Sequence, residues 1–99
     1  MNPDPLEKKI EGDVCLYAKS KGILHYKFTS PGKRSVPDRL FILKGGASFF
    51  IEFKRMGKDP TSAQRTEITK LQQQGATVYV IDNIEDGKRA VDAELLKGY

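Results

Sequence analysis

Two apolar runs meet at Lys44-Gly45-Gly46, and a second glycine-terminated segment follows them. This arrangement constrains the fold more than any other feature. Arg39 to Leu43 and Ala47 to Lys54 read as strands, and a glycine pair between such runs closes an antiparallel hairpin. On the second strand Phe49, Ile51 and Phe53 point one way, while Phe50, Glu52 and Lys54 point the other. A helix is expected from about Thr61 to Gln74, stopped by Gly75, before a nearly continuous apolar strand from Thr77 to Ile81. A helix between two strands is a crossover, so the last strand should run parallel to the second hairpin strand. Its apolar character suggests a buried, central position.

The flanking segments complete an α-β-β-β-α-β-α order. Asp4 is a candidate cap, Pro5 suits the first helical position, and Glu7 favours the positive end of the helix dipole. That helix should run to about Lys19, with Gly22 just past it and Leu6, Ile10, Val14 and Tyr17 as its apolar stripe. Ile23 to Thr29 reads as a strand, followed by the basic loop Ser30-Pro31-Gly32-Lys33-Arg34-Ser35. Asn83 caps a final helix that carries Ala90, Val91 and Leu95, with Gly87 weakening its first turns. The expected architecture is one α/β domain over residues 1–99, a small mixed sheet flanked by helices. The site carboxylates should lie near the sheet edge and open end, fed by the basic loops.

Composition removes several classes of function. One cysteine excludes an internal disulfide, and Cys15 reads as a small buried apolar residue. His25 is the only histidine, so Cys/His zinc sites and a Ser-His-Asp triad are unsupported. No apolar run reaches membrane length and no signal peptide is seen, which points to an intracellular protein without a membrane partner.

Charge is unevenly placed. Residues 19–58 hold ten Lys or Arg and two acids, a net 10 − 2 = +8, whereas the rest carries 7 − 11 = −4. Such runs are ordinarily solvated faces, but a basic half also attracts polyanions, nucleic acid above all. The two acids inside it are Asp38, after Val36-Pro37, and Glu52, two residues before Lys54. Two carboxylates can share a hard divalent cation, and a nearby ammonium can orient water and offset charge on a phosphate. Lys27, Lys33, Arg34, Arg39, Arg55 and Lys58 are candidate phosphate contacts. Tyr26 and Phe50 are candidates for stacking on bases, although core packing suits Phe50 better. Glu11 borders the buried stripe, and spacing alone makes it a surface Glu pairing with Lys8.

Pro37-Asp38 and Glu52-x-Lys54 in this element order resemble the PD-(D/E)xK nuclease superfamily. More narrowly the chain resembles the VRR-NUC (virus-type replication and repair nuclease) family. That match runs through Lys27-Phe28-Thr29-Ser30-Pro31-Gly32, Val36-Pro37-Asp38-Arg39-Leu40, Gly45-Gly46, Phe50-Ile51-Glu52-Phe53-Lys54, Gln64 and Gly75-Ala76-Thr77-Val78-Tyr79-Val80. The resemblance implies a restriction-endonuclease-like αβββαβα core. It implies Mg²⁺ or Mn²⁺ as cofactor, Asp38, Glu52 and the Phe53 carbonyl as ligands, and Lys54 as the catalytic lysine. Glu11 matches the helix-one glutamate that approaches the metal. Gln64 matches a helix glutamine near the site, while Thr61-Ser62-Ala63-Gln64 is also a capping box. Ser35 departs from the glycine expected two residues before Pro37.

The implied activity is metal-dependent, structure-selective DNA endonuclease cleavage. Small stand-alone members look like Holliday-junction resolvases, which act as dimers, so a homodimer and branched DNA are expected. The expected location is the cytoplasm of a bacterium or of a phage-infected host cell. The alternative is a non-catalytic DNA- or junction-binding module with a nuclease-like fold, against which the intact Asp38, Glu52 and Lys54 argue.

Overall fold

A computed structural model describes residues 5–97, and the proposed Asp4 cap lies outside them. The elements are α1 (Pro5–Ser20), β1 (Leu24–Lys27), β2 (Arg39–Ile42), β3 (Ser48–Phe53), α2 (Ser62–Gln73), β4 (Val78–Ile81) and α3 (Ile84–Leu96). The sheet order is β1-β2-β3-β4; the first two pairings are antiparallel and β3–β4 is parallel. The turn chemistry explains the hairpin. Gly45 and Gly46 adopt φ of +98° and +95°, and Gly46 N–H donates to the Leu43 carbonyl at 2.9 Å.

One sheet face carries Phe41, Phe49, Ile51 and Phe53, all fully buried against Val14, Ala18, Ala90 and Val91 of α1 and α3. The Phe41 and Phe49 rings stack at 4.9 Å. Cys15 belongs to this core, and burial pushes its thiol up to about 11, so it stays an apolar, unionised group. Gly87 has a packing role that its low helix propensity conceals. A Cβ there would lie 2.3 Å from Val14 Cγ2, so the glycine lets α3 approach α1.

The opposite face carries Leu24, Tyr26, Leu40, Ile42, Phe50, Glu52 and Val80, by register and alternation. Helix α2 packs on this side, against β4. Two expectations are corrected here. β4 is an edge strand, not a central one. Its continuous apolar run arises because helices lie on both its faces, α3 on one and α2 on the other, where α2 leaves Val80 partly exposed. The carboxylates are also away from the sheet edge: Glu52 lies on the inner strand β3 and Asp38 immediately precedes the inner strand β2.

Candidate active site

The pairing of β2 with β3 matches Arg39 to Ile51, so Asp38 falls opposite Glu52 on the same sheet face. Local structure fixes both. Pro37 is fully buried and offers no N–H, while the Asp38 carbonyl accepts from Phe28 N–H at 2.9 Å. Asp38 Oδ2 then accepts from Phe53 N–H at 2.7 Å. The strand that carries Glu52 therefore also holds the Asp38 side chain. Lys54 is secured just beyond, where its N–H donates to the Ile81 carbonyl at 2.8 Å. Its Nζ lies 3.6 Å from Glu52 Oε2.

Glu52 is only 2% exposed. Burial and the neighbouring Asp38 push its carboxyl up to about 8, against the pull of Lys54; Glu7 adds to the rise. Burial likewise raises Asp38, opposed by the Phe53 N–H and reinforced by Glu11. A buried and a half-buried carboxyl that resist ionising together form a site deficient in positive charge. The donors are oxygens, and a small hard cation is typically held by one or two carboxylates with retained waters. Among the described residues no group of three or more His, Cys, Asp or Glu could hold a metal ion. Asp38, Glu52 and the Phe53 carbonyl still fit Mg²⁺ or Mn²⁺ in donor chemistry.

Helix α1 contributes differently from expectation. Glu11 does not take Lys8; its Oε2 accepts from Arg39 Nε at 2.6 Å, with both side chains 19% exposed. His25 Nδ1 stands 3.4 Å from Arg39 Nη1 on the other side. Arg39 is thereby engaged in an internal ion pair instead of being presented to solvent as a phosphate contact. Glu7 lies one turn earlier on the same helix face. It is half-buried, its charge bears on Glu52, and it lines two cavities that flank the carboxylates. The i, i+4 spacing of Glu7 and Glu11 was the available signal.

The first cavity, about 420 Å³, is bordered by Asp38, Glu11 and the cations Lys27, Lys33 and Arg34. Its basic loop is shaped by a turn in which Lys33 N–H donates to Ser30 O at 3.0 Å and Gly32 takes φ +76°. Lys33 Nζ also meets Glu67 at 3.0 Å. The second cavity, about 260 Å³, is bordered by Lys54, Arg55, Lys58 and Thr61. Gln64 forms the capping box: Thr61 N–H donates to Gln64 Oε1 at 2.9 Å, and Gln64 N–H to Thr61 Oγ1 at 3.2 Å. Its carboxamide oxygen fixes the start of α2, behind the cavity that contains Lys54.

No family model matches this chain. Its sequence is 40% identical over 80 residues to a protein described as "Putative nuclease p44" from Acyrthosiphon pisum secondary endosymbiont phage 1, covering 81% of this chain and 82% of the relative. A solved structure described as a VRR_NUC domain superposes with a TM-score of 0.79 at 26% identity, over 97% of this chain and 99% of that one.

Proposed function

Because this chain belongs to the VRR-NUC family of nucleases, we propose that it is a Mg²⁺- or Mn²⁺-dependent DNA endonuclease selective for branched structures and acting as a homodimer. The observation that supports this best is the juxtaposition of Asp38 and Glu52 across β2 and β3, with Lys54 Nζ 3.6 Å from Glu52. Asp38, Glu52 and the Phe53 carbonyl would hold the metal, which when bound supplies charge stabilisation at the scissile phosphate and an acidified water. The remaining work falls to side chains. Lys54 donates hydrogen bonds that orient the attacking water and offset charge on the phosphoryl oxygens. Lys27, Lys33 and Arg34 hold the backbone on one side of the carboxylates, and Arg55 and Lys58 on the other. Glu11 and Arg39 brace α1 against the start of β2, beside Asp38.

The homodimer reading draws support from Leu16 and Leu96, both exposed on the helical layer and away from the carboxylates. Two copies joined there would present two identical sites to a roughly symmetric junction. No helix among the described residues is long and apolar enough to cross a membrane. The phage source of the relative supports action in the cytoplasm of a bacterium or an infected host cell. Cleavage of labelled single strand, duplex, flap and four-way junction, with Mg²⁺ or with chelator, tests the proposal. Strand scission that needs the ion and favours the junction supports it. Binding without scission in any divalent metal would leave only a DNA-binding module.

A further inference from the structure

The sheet face that bears the carboxylates continues into an open apolar surface. Across the strands, Tyr26 pairs with Leu40 and Leu40 with Phe50, so these side chains form one row. Asp38, just before β2, and Glu52 on β3 each lie two residues from that row, about 7 Å by strand geometry. Phe28 packs edge-on against Phe50 at 5.0 Å and also borders the cavity beside Asp38, so apolar row and carboxylates adjoin. Helix α2 packs against β4 and not against β1 or β2. Tyr26 and Leu24 are consequently 54% and 56% exposed on a flat strand surface.

We infer that this face is a stacking platform for unpaired bases, led by Tyr26, beside the carboxylates. The inference rests on the nuclease reading for its substrate but not for its geometry. Charge selects the occupant. The platform adjoins the cavity that Lys27, Lys33 and Arg34 border. A second copy laid on this face would bring two such cation-bordered cavities together, whereas a nucleic-acid strand supplies the complementary charge. Chemistry selects its form. An intact duplex offers phosphates and groove edges but keeps its base faces stacked inside, so it has nothing for a flat exposed Tyr to cover. Unpaired bases at a branch or in a single strand expose their π-faces, and aromatic stacking on them tolerates any sequence. A platform next to the carboxylates places the scissile phosphate near the transition from paired to unpaired DNA.

The test is anisotropy binding in chelator, where no cleavage occurs, to single-stranded, duplex and splayed-arm DNA of equal length. Tyr26→Ala should weaken binding to single-stranded and splayed-arm DNA by at least about fivefold, the lower end of one base's stacking contribution. The preference for unpaired over duplex DNA should fall by the same factor. Tyr26→Phe keeps the ring and should restore it. A strand with 2-aminopurine at one position should lose fluorescence on binding wild type and Tyr26→Phe, but not Tyr26→Ala. Equal losses on duplex and single strand, or unchanged quenching, overturn the platform. A light-scattering mass that halves in Tyr26→Ala would assign the face to a second copy and overturn it equally. If the wild type cuts no DNA in any metal while the Tyr26 effects persist, the nuclease reading fails and the platform stands.

Discussion

Replacing Glu52 by Gln should stabilise the metal-free protein by an amount that grows with pH, although the same change abolishes cleavage. The Glu52 carboxyl moves from 4.5 to about 8 on folding, through burial and the nearby Asp38. The folded protein therefore holds that proton more tightly than the unfolded chain does. Below pH 4.5 the carboxyl is protonated in both states and costs nothing. Stability falls as pH rises from there, and above pH 8 the full difference is felt. A displacement from 4.5 to about 8 corresponds to roughly 5 kcal/mol at 1.36 kcal/mol per pH unit. Gln keeps the shape and has no proton to lose. The variant's advantage in chelator should thus be about 1 kcal/mol at pH 5 and on the order of 5 kcal/mol at pH 9. Urea unfolding at pH 5, 7 and 9 reads the gap directly. Mg²⁺ should narrow it, because the ion binds the ionised, folded wild type and finds a weaker site in the variant. A gap that stays constant with pH, or that Mg²⁺ fails to narrow, would refute both the charge-deficient pair and its role as a metal site.

Asp38→Asn should likewise abolish scission while leaving DNA affinity near normal, since it removes one negative charge from a +8 segment; filter binding and a cleavage gel separate the two effects. Lys54→Ala should lower kcat by about 10²-fold or more with a smaller change in Mg²⁺ affinity, as expected of a group that stabilises developing charge. Gly87→Ala should destabilise by about 1–2 kcal/mol, because the clash with Val14 outweighs a helix-propensity gain of about 1 kcal/mol; thermal unfolding that shows stabilisation would contradict the close approach of α3 to α1. Lys27, Lys33, Arg34, Arg55 and Lys58, the five cations assigned to the backbone, predict a slope of log K against log salt near −4 to −5 on duplex, unchanged in Arg39→Ala because Glu11 already neutralises that guanidinium.

The sequence made the strand order legible because each connection is dictated locally. Gly45 and Gly46 accept the left-handed backbone that a tight hairpin demands, and the segment from Thr61 to Gln74 is long enough to cross the sheet. The lateral position of β4 was not legible. Val78, Tyr79, Val80 and Ile81 record that both faces meet apolar neighbours, but not whether another strand follows. The shared face of Glu52 and Lys54 was readable from alternation, whereas the placement of Asp38 opposite Glu52 needed the strand register.

What escaped the sequence at this site is the division of labour among charges. Glu11, Arg39, Glu7 and Lys33 are each interchangeable with a surface residue in a one-dimensional reading. Helix α2 supplies the Glu67 that Lys33 meets, and packing of α1 on the sheet face assigns Glu7, Glu11 and Arg39. It brings Glu11 onto Arg39, thirty-nine being the position directly after Asp38, and this consumes a cation that charge counting would give to DNA. It leaves Glu7 bearing on Glu52, where another carboxylate deepens the demand for a cation. The ion pair and the unmet demand are coupled. Without Arg39, both α1 glutamates would add negative charge beside Asp38 and Glu52; with it, Glu11 is largely balanced, while Asp38 and Glu7 still raise Glu52. On the proposed reading a divalent ion would relieve that excess next to Lys54, and the basic side chains that border the two cavities would face the phosphate backbone.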